Sequence, residues 1–170
     1  MIVLKKEKNI ICHEYGHYLV ACLIGKREIV ERIEFWSDLS GFYGTNVMNT
    51  IKVDINCMEV KQIKLSKKEE VLMLYGGCVA CEVMGLRGKR IGGTDRQKIL
   101  SLTRNAKERA NIRGIAFELL EPYKSLLEAM TNKTYNYLIA EDDDVAYITN
   151  EILEVWGFAA NINSLPELKL

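Results

Sequence analysis

The sequence lacks an excess of charge of either sign. Of its 170 residues, 23 are basic and 23 are acidic, so the formal net charge is zero. Proteins that bind nucleic acid usually carry a basic excess or a clustered basic face. The one short basic run, at 87–90, is expected to be a solvated loop. We therefore expect no nucleic-acid partner.

Long apolar runs are also lacking. The most apolar early stretch, residues 18–25, is far shorter than the roughly 20 residues that a membrane-spanning helix needs. Two histidines and a glutamate stand just before it, which makes the segment a poor signal-peptide core. The five cysteines do not have the spacing of a disulfide framework and so favour a reducing compartment. We expect no membrane span and a cytoplasmic location.

Proline is scarce, so few helices should be interrupted. Only Pro122 and Pro166 occur, and proline is the residue that helix interiors tolerate least. Hydrophobic residues make up 48% of the chain and charged residues 27%, which is ordinary for a globular protein. The length is that of one domain. We therefore predict a single domain over 1–170.

Hydrophobic periodicity predicts one helix followed by strands. Residues 6–24 have a largely buried helical character, and Gly25 is suited to ending the helix. Apolar and polar residues alternate over 33–35 and again over 51–57, and 41–47 could form a further strand. The simplest interpretation is a small antiparallel sheet of about three strands.

The remainder of the chain is predicted to be helical. Residues 66–69 form a capping box before a helix that ends ahead of Gly85. Residues 94–97 form a second capping box, which places Asp95 in the first turn of the next helix. Two further helices are expected over 115–130 and 143–156, the latter beginning in an acidic run at 141–144. The predicted fold class is α+β, mostly helical with the small sheet.

The chain has only two histidines, and both lie in the motif His13-Glu14-Tyr15-Gly16-His17. Residues four apart share one face of a helix, so both imidazoles can reach a single Zn²⁺. A glutamate beside the first histidine can take a proton from the attacking water. The motif therefore predicts a zinc metallopeptidase, with His13 and His17 as metal ligands and Glu14 as the catalytic base.

Two histidines do not complete a catalytic zinc site, which usually has three protein ligands. No third histidine exists, so an aspartate, a glutamate or a cysteine must supply the remaining ligand. Asp95 is favoured because it follows a glycine-rich loop at a helix start, and Glu82 is the alternative. Cys78 and Cys81 form a C-x-x-C pair inside an apolar helical run, and we expect them to pack in the core.

Three segments, taken in order, resemble the peptidase domain of FtsH, the AAA+ zinc protease. Residues 13–21, HEYGHYLVA, resemble H-E-A-G-H-A-x-V-A, and residues 74–82, LYGGCVACE, resemble L-x-G-G-R-x-A-E-E. Residues 92–95, GGTD, resemble G-A-S-x-D with one residue fewer before the aspartate. The resemblance covers about 6–107, while the C-terminal helices, about 108–160, match only in being helical.

The resemblance implies more than the motif alone. It makes Asp95 the third zinc ligand and places the strands near 33–35 and 41–43 beside the substrate cleft. Tyr43 could then contact substrate, although a structural role for it is expected. The substrate class would be flexible or unfolded polypeptides, because no G-x-x-x-x-G-K-[ST] loop for ATP hydrolysis occurs in the chain. A separate ATPase or a homo-oligomer therefore comes into question as partner.

Tyr15 and Tyr18 stand where the family has small alanines, and we expect them to crowd the metal helix or reshape its pocket. Two alternatives to the peptidase follow. One is a catalytically silent interaction or regulatory module derived from a peptidase. The other is a different HExxH peptidase class whose third ligand lies elsewhere.

Overall fold

The computed structural model describes residues 5–49, 51–54, 56–57, 59–86, 93–141 and 145–168. It is mostly helical and contains a small three-stranded antiparallel sheet, which confirms the predicted α+β class. None of the helices in these ranges is both long and apolar enough to cross a membrane.

Helix α1, Lys5–Leu23, lies at the centre of the molecule and confirms the first predicted helix. It packs against helices of both halves of the chain and against the sheet, and its residues from Tyr18 to Leu23 are all buried. Gly25 ends it with φ of 69°, a left-handed conformation in which a side chain would be strained. The N–H groups of Gly25 and of the next residue donate to carbonyls of the last helical turn.

The three-stranded sheet combines strands from both ends of the chain. Strands β1, Val30–Asp38, and β2, Gly41–Met48, form an antiparallel pair, and β5, Val145–Thr149, pairs with the other side of β1. In the order β2-β1-β5, β2 therefore lies at one edge. Strands β3, Ile51–Asp54, and β4, Glu59–Gln62, form a separate two-stranded sheet.

Helix α2, Lys67–Val83, packs along α1. The predicted capping box is present: the Ser66 hydroxyl accepts from the Glu69 N–H at 3.2 Å, and the Ser66 N–H donates to the Glu69 carboxylate at 2.6 Å. The N–H groups at the start of a helix have no carbonyl partner within the helix, and here the two side chains each accept from the other residue's N–H. The helix ends ahead of Gly85, as predicted.

Five further helices lie in the described part of the chain, and the first of them carries Asp95. Helix α3 begins at Gly93, so Asp95 lies in its first turn as predicted, whereas Thr94 lies inside the helix and not at its cap. The helices are α3, Gly93–Leu102, α4, Ala106–Leu120, α5, Lys124–Ala140, α6, Asn150–Val155, and α7, Ala159–Asn163.

Two helix predictions need correction. The helix expected over 115–130 is divided, because α4 and α5 are separated by a 3-10 turn that contains Pro122, a residue without a backbone donor. The helix expected over 143–156 is wrong over 145–149, where β5 alternates exposed and buried residues and pairs with β1. The expected loop at 87–90, and the acidic run at 142–144, lie outside the described residues.

Candidate metal centre

The two histidines of the motif lie one turn apart on α1 and face the same point. Their Nε2 atoms are 3.0 Å apart, and their rings meet edge to face with centroids 4.6 Å apart. His17 is buried, whereas His13 is partly exposed. The i, i+4 spacing therefore places both imidazoles together, as the motif predicts.

Asp95 joins them from a distant part of the chain. Its Oδ2 atom lies 3.2 Å from Nε2 of His13 and 3.5 Å from Nε2 of His17. The alternative ligand, Glu82, is exposed, and its carboxylate pairs with the Arg113 guanidinium. Of the two carboxylates that the sequence offers as third ligand, the structure brings Asp95 to the histidines and leaves Glu82 at the surface.

The protonation of His17 follows from its hydrogen bond to the main chain. Nδ1 of His17 lies 2.7 Å from the carbonyl oxygen of Met73 on α2, and a carbonyl can only accept, so Nδ1 carries the proton. In the neutral ring, Nε2 then has no proton and carries a lone pair that can accept a hydrogen bond or bind a metal. That lone pair points at a carboxylate oxygen and at the second imidazole. A cation at this point, whether a proton on His13 or a metal ion, relieves the repulsion between these acceptors.

The spacing of the three converging atoms is close to that of zinc ligands, with two of the three separations slightly shorter. Zinc binds nitrogen and oxygen ligands at about 2.0–2.2 Å in tetrahedral geometry, which separates neighbouring ligand atoms by about 3.3–3.5 Å. The observed separations are 3.0, 3.2 and 3.5 Å. Two imidazoles and one carboxylate are also a donor set that catalytic zinc sites use, with a fourth position left open.

The pKa values of His13 and Asp95 are both shifted because the two side chains lie close together. Burial alone would lower the pKa of His13, but the hydrogen bond with Asp95, together with the influence of Cys81 and Glu14, outweighs it and raises this pKa to about 10. Burial opposes ionisation of Asp95, yet the imidazoles of His13 and His17 beside it hold its pKa well below the usual range. Positive charge is thus strongly favoured between these three side chains.

A second carboxylate, that of Glu14, lies beside the cluster. One atom each from Glu14, His13 and His17 lies within 4.8 Å of the others. Asp95 approaches both imidazoles more closely, and the Glu14 carboxylate is held by the Asn46 side-chain amide, which donates to it at 2.7 Å. The Asp95 carboxylate thus lies against both imidazoles, and the Glu14 carboxylate lies beside them.

Three glycines allow α1 and α2 to approach closely enough to build the site. A Cβ atom on Gly16 would lie 2.2 Å from the main-chain oxygen of Gly76, and one on Gly76 would lie 2.6 Å from the oxygen of Gly16. A Cβ atom on Gly77 would lie 2.5 Å from Cε1 of His13. Backbone therefore packs on backbone at the helix crossing, and the His13 ring rests directly on α2.

The cluster opens onto a cleft of about 720 Å³. Its walls are β2 on one side and α2 and α3 on the other, with Asp95 and His13 exposed to it. Tyr43 lines the cleft, and its ring stacks on Trp36 with centroids 5.7 Å apart. Leu65, Met73 and Leu74 are apolar residues that line the cleft, next to the charged Glu70 and Lys98.

The prediction that two tyrosines crowd the metal helix is wrong. Tyr15 is fully buried and its hydroxyl lies 2.6 Å from Oγ1 of Thr134 on α5. Tyr18 is also buried and donates to the Asn150 side chain at 3.1 Å. Neither lines the cleft. Both side chains leave α1 on its core faces, so the space near the histidines is unaffected.

One functional neighbour was missed by sequence reasoning, and one motif packs as expected. Asn46 had no signal beyond its place in a predicted strand, where asparagine is depleted. Cys81 is buried in the core and Cys78 packs against it, which confirms the expected packing role of the C-x-x-C pair.

A scan against protein-family models finds no match, and a search of curated proteins finds no relative.

Proposed function

We propose that the protein is a zinc-dependent metalloendopeptidase that hydrolyses peptide bonds in flexible or unfolded polypeptides. One observation carries the proposal: the two Nε2 atoms and the Asp95 oxygen converge within 3.5 Å of one another at the wall of a cleft. In this proposal His13, His17 and Asp95 bind Zn²⁺, and Glu14 is the general base. The order of motifs that resembles the FtsH peptidase domain supports the same assignment.

The chemistry is divided between the metal and Glu14. Bound zinc would supply Lewis acidity, which polarises a peptide carbonyl and lowers the pKa of a coordinated water. Glu14 lies next to the cluster with its carboxylate facing the cleft, where it takes a proton from the attacking water. It then passes that proton to the leaving amine, because the nitrogen must be protonated to depart.

Substrate is proposed to bind as an extended chain along β2. This strand lies at an edge of its sheet and also forms one wall of the cleft, so its outer edge can pair with a peptide main chain. The apolar residues Leu65, Met73 and Leu74 that line the cleft would contact substrate side chains. Such a site accepts flexible segments; for folded substrates we propose that a separate ATPase or a homo-oligomer supplies unfolded chains. The five cysteines, all free, support a reducing, cytoplasmic compartment.

The first test is zinc content by elemental analysis of the purified protein and of four variants. We expect one zinc per chain in the wild type, its loss in His13→Ala and Asp95→Asn, and its retention in Glu14→Gln. Glu82→Gln is the matched control, since this carboxylate lies at the surface and pairs with Arg113. It should leave both zinc content and activity unchanged.

The second readout is cleavage of an unstructured peptide. The wild type should cleave it, and Glu14→Gln should not, although it still binds zinc. Absence of zinc from metal-replete wild type would contradict the whole proposal. Zinc without cleavage of any unstructured peptide would leave a metal-binding interaction module as the better account.

A further inference from the structure

Asn46 on β2 holds Glu14 through its side-chain amide. Nδ2 of Asn46 lies 2.7 Å from Oε2 of Glu14 and 3.0 Å from the main-chain oxygen of the same residue. Both acceptors belong to one residue, so the two bonds fix the carboxylate relative to its own backbone. A glutamate side chain has considerable rotamer freedom, and a clamp of this kind removes most of it.

The strand that carries Asn46 is itself well supported. Asn46 pairs with Ile33 of the central strand, so its backbone cannot shift without breaking the sheet. Gly44 lies two residues earlier on the same face of β2, and a Cβ atom there would come within 2.8 Å of Cγ of Glu14. The Cγ atom of Glu14 therefore packs against β2 at Gly44, and its carboxylate accepts a hydrogen bond from Asn46, two residues further along the strand.

The orientation of the Asn46 amide is determined by its neighbours. Nδ2 faces two oxygen atoms, and a flipped amide would place Oδ1 against the Glu14 carboxylate, acceptor against acceptor. In the observed orientation Oδ1 is buried and has no hydrogen-bond partner among the described residues. A buried acceptor without a partner costs stability. The fold thus leaves Oδ1 of Asn46 unpaired and keeps its Nδ2 donor directed at Glu14.

We propose that Asn46 is a positioning residue for the peptidase reaction: it holds the Glu14 carboxylate at the cleft in the orientation needed to take a proton. This inference rests on the proposed function, in which Glu14 is the base. The side chain of Asn46 contacts Glu14, whereas a peptide bound along β2 would pair with the main chain of the strand. Its removal should therefore slow turnover without changing zinc content or the binding of peptide.

The test uses Asn46→Asp, which keeps the shape of the side chain but replaces the donor by an acceptor, and Asn46→Ala, which removes the donor without adding charge. Zinc content, kcat and KM on an unstructured peptide, and the thermal midpoint are measured for each. We expect normal zinc content, an unchanged KM and a kcat lower by about 10- to 100-fold. Asn136→Asp is the control, since it makes the same change on the exposed face of α5.

A double variant tests the contact apart from turnover. Asn46→Asp should lower the thermal midpoint, because it sets two carboxylates against each other, and adding Glu14→Gln should restore it by reversing donor and acceptor. A failure to restore it overturns the contact. Unchanged kcat with only a lower midpoint, or a raised KM with unchanged kcat, overturns the positioning role. In all these cases an active wild type leaves the proposed function standing, whereas a zinc-loaded but inactive wild type overturns both.

Discussion

Substitution of Gly77 by alanine should disable the proposed metal centre without replacing a proposed ligand. The added methyl group would lie 2.5 Å from Cε1 of His13, and ordinary contact begins at 3.4 Å. The imidazole must therefore retreat by about 0.9 Å, the difference between these distances. Functional constellations tolerate displacements of only about 0.5 Å, so His13 would leave its ligand position.

The fold should survive this change. The obstructing atoms belong to the side chain of His13, which can rotate, and alanine is favoured over glycine within a helix by about 1 kcal/mol. We expect a thermal midpoint near that of the wild type, together with a zinc affinity lower by about 10- to 100-fold. Zinc affinity is measured by competition with a chromogenic chelator, and the midpoint by circular dichroism of the zinc-free protein.

Gly114→Ala is the matched control. Gly114 also lies within a helix, α4, and its added methyl group would meet no atom within 4 Å. This variant should bind zinc as the wild type does and be slightly more stable. If Gly77→Ala also binds zinc with wild-type affinity, then the close packing of the imidazole on α2 does not set the ligand geometry, and the reasoning is refuted.

Three further predictions concern stability. Gly16→Ala should lower it by about 1–3 kcal/mol in chemical denaturation, because its methyl group meets main chain of α2 that cannot rotate away; a wild-type midpoint would contradict the close helix crossing. In the zinc-free protein, the raised pKa of His13 contributes stability that is fully present below pH 6.5 and is lost as the pH rises through about 10. The lowered pKa of Asp95 contributes stability above the ordinary pKa of 3.8. Denaturation measured over a pH series should show the alkaline loss of stability in the wild type and not in His13→Ala. Tyr15→Phe should cost about 1–2 kcal/mol by leaving the buried Thr134 hydroxyl without its partner, with zinc binding unchanged.

The sequence predicts those parts of the site that depend on local geometry. His13 and His17 meet because any helix brings residues four apart together, and the helix itself is evident from its apolar residues. Asp95 required more, since nothing local connects it to α1; its place at a helix start favoured it over the other carboxylates, and the resemblance strengthened that choice. Asn46 could not be found at all, because its role depends on how β2 lies against α1.

The errors in the fold have physical causes as well. Residues 145–149 follow an acidic run and precede a true helix, and five residues are too few for alternation to outweigh that context. Their strand character comes from pairing with β1, a distant part of the chain. The division at Pro122 was readable, since proline removes a backbone donor, but the apolar pattern continues on both sides of it.

The pairing of β5 with β1 also affects how the protein folds during its synthesis. Arg32 of β1 pairs with Thr149 of β5, so the sheet behind the cleft includes a contact between residues that leave the ribosome far apart in time. Pairings of such long sequence separation form slowly. While the chain is being made, α1 and its histidines are already present, but β1 still lacks a neighbour on one side. The order of synthesis thus delays a complete three-stranded sheet until β5 has been made.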